Sequence, residues 1–150
     1  MTSGALRIKW TSIAIASMSV WLLSFTVVAA TIFADAFSLG WAARGAPDFA
    51  AIQRFADTVG PLWGARLGLI LTGIAALWLG YRVNAAPIWH GLLVGAVVAG
   101  IPFAIRDQFQ FDLERLAYFF SNVAAGAIGG WLGSQIKAHR RDSGDARPAA

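Results

Sequence analysis

The sequence predicts an all-α integral membrane protein, a bundle of four transmembrane helices joined by short loops. The chain has 150 residues, of which 57% are hydrophobic and only 13% are charged, against about 25% charged residues in an average soluble domain. So many apolar side chains could not all be buried in so small a globule. The apolar residues also fall into four runs, each close to the roughly 20 residues that cross a hydrocarbon core.

The four predicted spans cover residues 13–34, 61–80, 88–105 and 116–136. Pro61 opens the second span and Pro87 precedes the third, and proline suits the first turn of a helix. The first span is followed by Ala34, Asp35 and Ala36, which resemble a signal-peptide cleavage site. Because the apolar part of a signal peptide has only about 7–15 residues, we expect an uncleaved anchor helix. Cleavage after Ala36 is the alternative.

The basic residues predict that both chain ends are cytoplasmic. The excess of Lys and Arg then falls on the cytoplasmic side, as is usual for membrane proteins. The cytoplasmic set is Arg7, Lys9, Arg82, Lys137, Arg140, Arg141 and Arg147, and the outer set is Arg44, Arg54, Arg106 and Arg115. This spread over loops and ends does not predict nucleic-acid binding. High Ala, Gly and Arg usage indicates a bacterium, and hence the inner (plasma) membrane. Residues 142–150 are expected to form a disordered polar tail.

The first outer loop predicts a short helix in the membrane interface. Between residues 48 and 59, Phe49, Ile52, Phe55 and Val59 recur at helical spacing, with charged residues on the other side. This pattern is typical of an amphipathic helix that lies in the plane of the interface.

Small residues spaced four apart predict the faces by which the helices pack. Lipid provides no hydrophobic force between helices, so close backbone approach through glycine supplies contact instead. The expected packing positions are Gly60, Gly64 and Gly68 in the second span, Gly91 and Gly95 in the third, and two ladders in the fourth, Ala125–Gly129–Gly133 and Gly126–Gly130. These faces would hold one protomer together. The doubled ladder suggests in addition a homo-oligomer or a membrane protein partner.

Polar groups inside the apolar spans are candidate functional residues, because ionisable side chains in lipid are costly. Asp35 and Arg66 come at similar predicted depth and could form an ion pair, with Arg106 and Asp107 completing an outer polar site. Roles as snorkelling or wetted side chains are the simpler interpretation. Ser17, Ser24 and Thr31 are spaced by seven and form a candidate polar stripe on the first helix.

Three functions remain open on sequence alone. The chain has no Cys and none of the common nucleophile, phosphate-loop or metal-ligand motifs, so no metal, cofactor or enzymatic activity is expected. The first hypothesis is a non-enzymatic subunit or accessory protein, in the lipid bilayer, that acts through glycine-mediated helix association. The second is a small oligomeric transporter or channel along the polar stripe. The third is an enzyme that acts on lipid headgroups at the outer face.

Overall fold

The computed structural model describes residues 8–42, 48–105 and 113–145, with the side chains of 102–105, 142, 144 and 145 excepted. These residues form four helices: α1 (Trp10–Ala42), α2 (Phe49–Arg82), α3 (Pro87–Ile105) and α4 (Leu113–Asp145). The prediction of four helices is confirmed. Two of them, α1 and α2, are long and apolar enough to cross a membrane.

The helices α1, α2 and α4 are longer than the predicted spans. The 33 residues of α1 extend over about 50 Å at 1.5 Å per residue, and the helix continues through Ala34, Asp35 and Ala36. At the other end of the chain, α4 runs to Asp145. Residues 142–145 are therefore helical, and the rest of the predicted tail, residues 146–150, lies outside the described residues.

The amphipathic segment at residues 48–59 forms the first turns of α2 and is not a separate helix. The carboxylate of Asp48 caps α2, because its Oδ1 accepts hydrogen bonds from the backbone N–H groups of Ala50 at 3.0 Å and Ala51 at 3.2 Å. The helix then continues through Pro61. Proline in a helix removes one backbone hydrogen bond, here the one to the carbonyl of Asp57, but it does not end α2.

A tight turn joins α2 to α3. The N–H of Val83 donates to the Leu79 carbonyl at 2.9 Å and closes α2, and Pro87 opens α3. Between them Ala86 has a φ of 48°, in the left-handed region that disfavours side chains with a Cβ. This turn brings the end of α2 and the start of α3 side by side.

The α2–α3 pair lies between the other two helices. Both α1 and α4 pack against α2 and α3, whereas α1 and α4 do not touch each other within the described ranges. The apolar core lies where α1 meets the pair and includes Ile13 and Val20 of α1, Leu79 of α2 and Val94 of α3. All four buried residues of α1 come from its first eleven positions, so its second half is held less closely.

The two ends of the bundle differ in the charged side chains that they carry. The basic end, where α1 and α3 begin and α2 and α4 finish, carries Lys9, Arg82, Lys137, Arg140 and Arg141. Every acidic side chain that the structure describes lies toward the opposite end: Asp35, Asp48, Asp57 and Glu114. That end also carries Arg54, Arg66 and Arg115. Its described charges are therefore mixed, whereas those of the basic end are all positive.

Candidate functional site

Helix α4 presents two glycine faces, and each one meets a different helix of the same chain. A Cβ on Gly129 would overlap the carbonyl oxygen of Gly73 in α2, and one on Gly133 would overlap that of Leu77. A Cβ on Gly126 would overlap the carbonyl oxygen of Gly91 in α3. The contacts are of backbone against backbone, so no side-chain movement could make room for a methyl group.

The same close approach is seen from α3. A Cβ on Gly91 would overlap the Gly126 carbonyl oxygen, and one on Gly95 would overlap the Asn122 carbonyl oxygen. Gly130 of α4 packs beside Pro87 at the start of α3. Both glycine ladders of α4 are therefore occupied within one chain.

Of the three α2 glycines that the spacing suggested, Gly68 packs against α4, whereas Gly60 and Gly64 do not. A Cβ on Gly60 or Gly64 would meet nothing within 4 Å, and one on Gly68 would lie 2.9 Å from the hydroxyl of Tyr118. Gly73 and Gly80, which the four-residue spacing did not include, also face α4. Their spacing of seven residues keeps them on one side of α2. This spacing is the sequence signal that could have identified them.

A buried polar pair links α2 to α4. Asn122 and Thr72 are both 0% exposed, and the Thr72 hydroxyl donates to Oδ1 of Asn122 at 3.1 Å. The Asn122 amide donates to the carbonyl of Tyr118, one turn earlier in α4, at 3.0 Å. Since a buried amide without partners is destabilising, this arrangement satisfies Asn122 and fixes the register of α4 on α2.

A second polar contact joins α1 to α3 at a proline. Pro102 has no N–H, so it cannot donate to the carbonyl of Val98 four residues earlier. The indole Nε1 of Trp21 donates to that carbonyl oxygen at 3.2 Å. Trp21, the only tryptophan placed well inside a predicted span, therefore replaces the helix hydrogen bond that Pro102 removes.

His90 fastens the start of α1 to the start of α3. Its side chain is 1% exposed, and its Nε2 accepts a hydrogen bond from the backbone N–H of Lys9 at 3.0 Å. Its Nδ1 lies 2.9 Å from the Ala86 carbonyl oxygen. Because Nε2 accepts, the ring hydrogen lies on Nδ1, which donates to the Ala86 carbonyl. Both ring nitrogens therefore have a hydrogen-bond partner. The sequence showed this histidine next to a turn but gave no sign of the contact with Lys9.

Cationic side chains complete the basic end. The Lys137 ammonium donates to the Val83 carbonyl at 3.2 Å and also to the side chain of Asn84, which ties α4 to the α2–α3 turn. The guanidinium of Arg140 lies 5.8 Å from the Tyr81 ring centroid, and that of Arg82 lies 4.7 Å from the Trp78 ring centroid. These contacts leave the charges of Arg82 and Arg140 at the surface.

The predicted polar stripe on α1 divides into two environments. The hydroxyls of Ser17 and Ser24 are buried without a hydrogen-bond partner. Thr31 is exposed, and its hydroxyl donates to the Val27 carbonyl of its own helix at 2.9 Å. The stripe therefore faces the bundle in the first half of α1 and the outside in the second.

The predicted outer polar site is only partly within the described chain. Asp35 is half-buried on α1 and Arg66 is exposed on α2, and these two described residues do not form an ion pair with each other. An ion pair toward this end of the bundle joins Arg54 to Asp48 at 3.9 Å. Arg106 and Asp107 lie outside the described residues.

An apolar groove runs along the outside of the bundle between α1 and α2, with a volume of about 330 Å³. We call it the α1–α2 groove. Its lining is Ile15, Ala16, Ser19, Val20 and Leu23 from α1, with Leu71, Ile74, Ala75 and Trp78 from α2. The hydroxyl of Ser19 donates to the Ile15 carbonyl at 2.8 Å, so its hydrogen is not available to a ligand in the groove.

The fold and these contacts define a class: an all-α bundle of four helices, two of which are long and apolar enough to span a membrane. Among known proteins, no family model, no curated protein and no solved structure matches the chain. A function has to be inferred from the residues themselves.

Proposed function

We propose that this chain is a non-enzymatic, multi-pass protein of the bacterial inner membrane that serves as an accessory subunit. The observation that carries the proposal is the apolar exterior of the bundle. Large apolar side chains are exposed on all four helices, among them Phe33, Ile74, Val97 and Ile128. Water-soluble monomers rarely expose extended apolar patches, whereas lipid solvates such a surface.

The larger number of basic side chains at the basic end supports an orientation with that end in the cytoplasm. Lys and Arg are favoured on the cytoplasmic side of membrane proteins. Exposed tryptophans accompany the basic end, with Trp10 and Trp89 at helix starts and Trp78 one turn before the end of α2. Tryptophan is enriched at the headgroup level of bilayers. The 19 residues of α3 extend over about 28 Å, close to the thickness of a hydrocarbon core of about 30 Å.

Association with a partner is best assigned to α1. The glycine faces of α4 are in contact with α2 and α3, so they are not available to another protein. The second half of α1 contains none of the buried residues of this helix, and it exposes Phe33, Phe37 and Trp41. We assign this face to contact with a transmembrane helix of another subunit.

Photocrosslinking in native membranes tests this assignment. A benzophenone side chain at Phe33 on α1 is compared with one at Ile128 on α4, since both native side chains are large, apolar and exposed. A discrete protein adduct from position 33, with none from 128, supports the subunit role. Crosslinks to lipid alone at both positions, or the same adducts from both, would contradict it.

A second candidate function is a small oligomeric transporter, and one observation favours it. The unpartnered hydroxyls of Ser17 and Ser24 are buried on the inner side of α1, where water or a small polar solute would satisfy them. Solute flux into proteoliposomes that falls in Ser17→Ala and Ser24→Ala, but not in Ser19→Ala, supports this candidate. Equal flux in all three variants and the unaltered chain would exclude a path along these residues.

A further inference from the structure

The α1–α2 groove is lined by apolar side chains along its length and has a cationic side chain beside one end. Trp78 lines the groove at the end nearest the finish of α2. Arg82 follows Trp78 by one helical turn on the same face, and its guanidinium lies 4.7 Å from the ring centroid. The aromatic contact holds the cation beside the end of the groove.

The charge of Arg82 is not neutralised within the described part of the chain. No ion pair involves Arg82 there, and the described acidic side chains all lie toward the opposite end of the bundle. Lys9, Lys137 and Arg140 share the basic end with it. A cation–π contact leaves the N–H groups at the edge of a guanidinium free to bind an anion.

We propose that the α1–α2 groove binds an anionic phospholipid, with an acyl chain along the apolar lining and the phosphate at Arg82. The proposal rests on the membrane location given above. The match is one of chemistry: a single charged end and an otherwise apolar length suit an amphiphile with an anionic head. The groove opens on the outside of the bundle, so a lipid enters sideways from the bilayer. Trp78 then lies between the two parts of the ligand, at the headgroup depth that tryptophan prefers.

Native mass spectrometry of the full-length protein in mild detergent tests the site, with phosphatidylglycerol and phosphatidylcholine of identical acyl chains as probes. Arg82→Gln removes the headgroup contact, and Arg54→Gln, at the opposite end, is its control. Ala75→Leu fills the groove, and Ala124→Leu, at an exposed position of α4, is its control. A basic residue near an anionic membrane surface contributes about a fivefold change in binding.

We expect phosphatidylglycerol to bind about fivefold more tightly than phosphatidylcholine. Arg82→Gln removes this preference and Arg54→Gln retains it. Ala75→Leu weakens the binding of both lipids and Ala124→Leu does not. Equal binding of the two lipids, or equal effects of a variant and its control, would overturn the site. A dimer that Ala75→Leu abolishes would overturn it too, and would assign the groove to a second copy of the chain. The crosslinking result at Phe33 is independent of these outcomes, so failure of the lipid site and failure of the subunit role are distinguishable.

Discussion

The hydrogen bond from Trp21 to Val98 should stabilise the fold only because position 102 is proline. Trp21→Phe removes the indole N–H and leaves the Val98 carbonyl with no donor. A buried polar group left unpaired is destabilising by about 1–3 kcal/mol, and hydrogen bonds between transmembrane helices average about 0.6 kcal/mol, with a maximum near 1.7. Because the N···O distance of 3.2 Å is at the long end of ordinary N–H···O bonds, we expect the lower limit of the unpaired-group cost, about 1 kcal/mol.

Pro102→Ala isolates the contribution of the Trp21–Val98 hydrogen bond to the free energy of unfolding. An alanine at this position restores the N–H that α3 lacks, so the Val98 carbonyl gains a partner within its own helix. Trp21→Phe then loses packing in both backgrounds but loses an essential hydrogen bond only when Pro102 is present. We expect Trp21→Phe to lower the free energy of unfolding by about 1 kcal/mol more in the native Pro102 background than in the Pro102→Ala background.

The assay is equilibrium unfolding in mixed micelles, followed by the circular dichroism of the helices. Trp89→Phe, at an exposed position, is the control and should show no coupling with Pro102→Ala. If Trp21→Phe has the same effect in both backgrounds, the indole is not the replacement partner of Val98 and the reasoning is wrong.

Three further predictions concern the packing and the basic end. Gly126→Ala should lower the free energy of unfolding by about 1–3 kcal/mol, because the added methyl group overlaps the Gly91 carbonyl. Gly64→Ala, in open space, should raise the free energy of unfolding by up to about 1 kcal/mol. Equal effects of the two variants in the same unfolding assay would contradict the contact. Ala86→Gly should stabilise the protein by about 1 kcal/mol, because glycine tolerates the φ of 48° without a steric penalty; a destabilised variant would contradict the strain. His90→Ala should accelerate amide hydrogen exchange in the first turn of α1 about fivefold, because it removes the acceptor of the Lys9 N–H. His139→Ala, at an exposed position of α4, should leave the exchange rate unchanged. Unaltered exchange in both variants would show that His90 does not hold α1.

Hydropathy predicted the number of helices but not their lengths. An apolar run ends where polar residues begin, yet a helix continues as long as its backbone hydrogen bonds are formed. Thus α4 extends past Lys137 to Asp145. The segment before Pro61 joins α2 for the same reason, since one missing N–H does not end a helix of 34 residues.

Residue spacing predicted which glycines share a face but not which helix each face would meet. Gly126 and Gly129 were expected to lie on different faces, and they contact α3 and α2 respectively. Gly60 and Gly64 have the same four-residue spacing but lie in open space. The helix that a face meets depends on how the helices cross, which the spacing within one helix does not contain.

The polar contacts show a similar limit. The sequence around a single buried histidine or tryptophan does not indicate which residue it will contact. Lys9 and His90 are 81 positions apart, and Trp21 and Val98 are 77 positions apart. The Trp21 contact did leave one signal, namely a proline inside a predicted span, which always frees a carbonyl for another donor.

The measurement that tests the central claim most directly is the labelling of single cysteines by a membrane-impermeant maleimide. The chain contains no Cys, so each introduced cysteine reports alone. Ala50→Cys at the start of α2, Ala85→Cys in the α2–α3 turn and Ala138→Cys in α4 are all exposed positions. A membrane protein with its basic end in the cytoplasm is labelled at position 50 in intact cells, and at 85 and 138 only in inverted vesicles. Labelling of positions 50 and 85 from the same side would contradict the proposed topology.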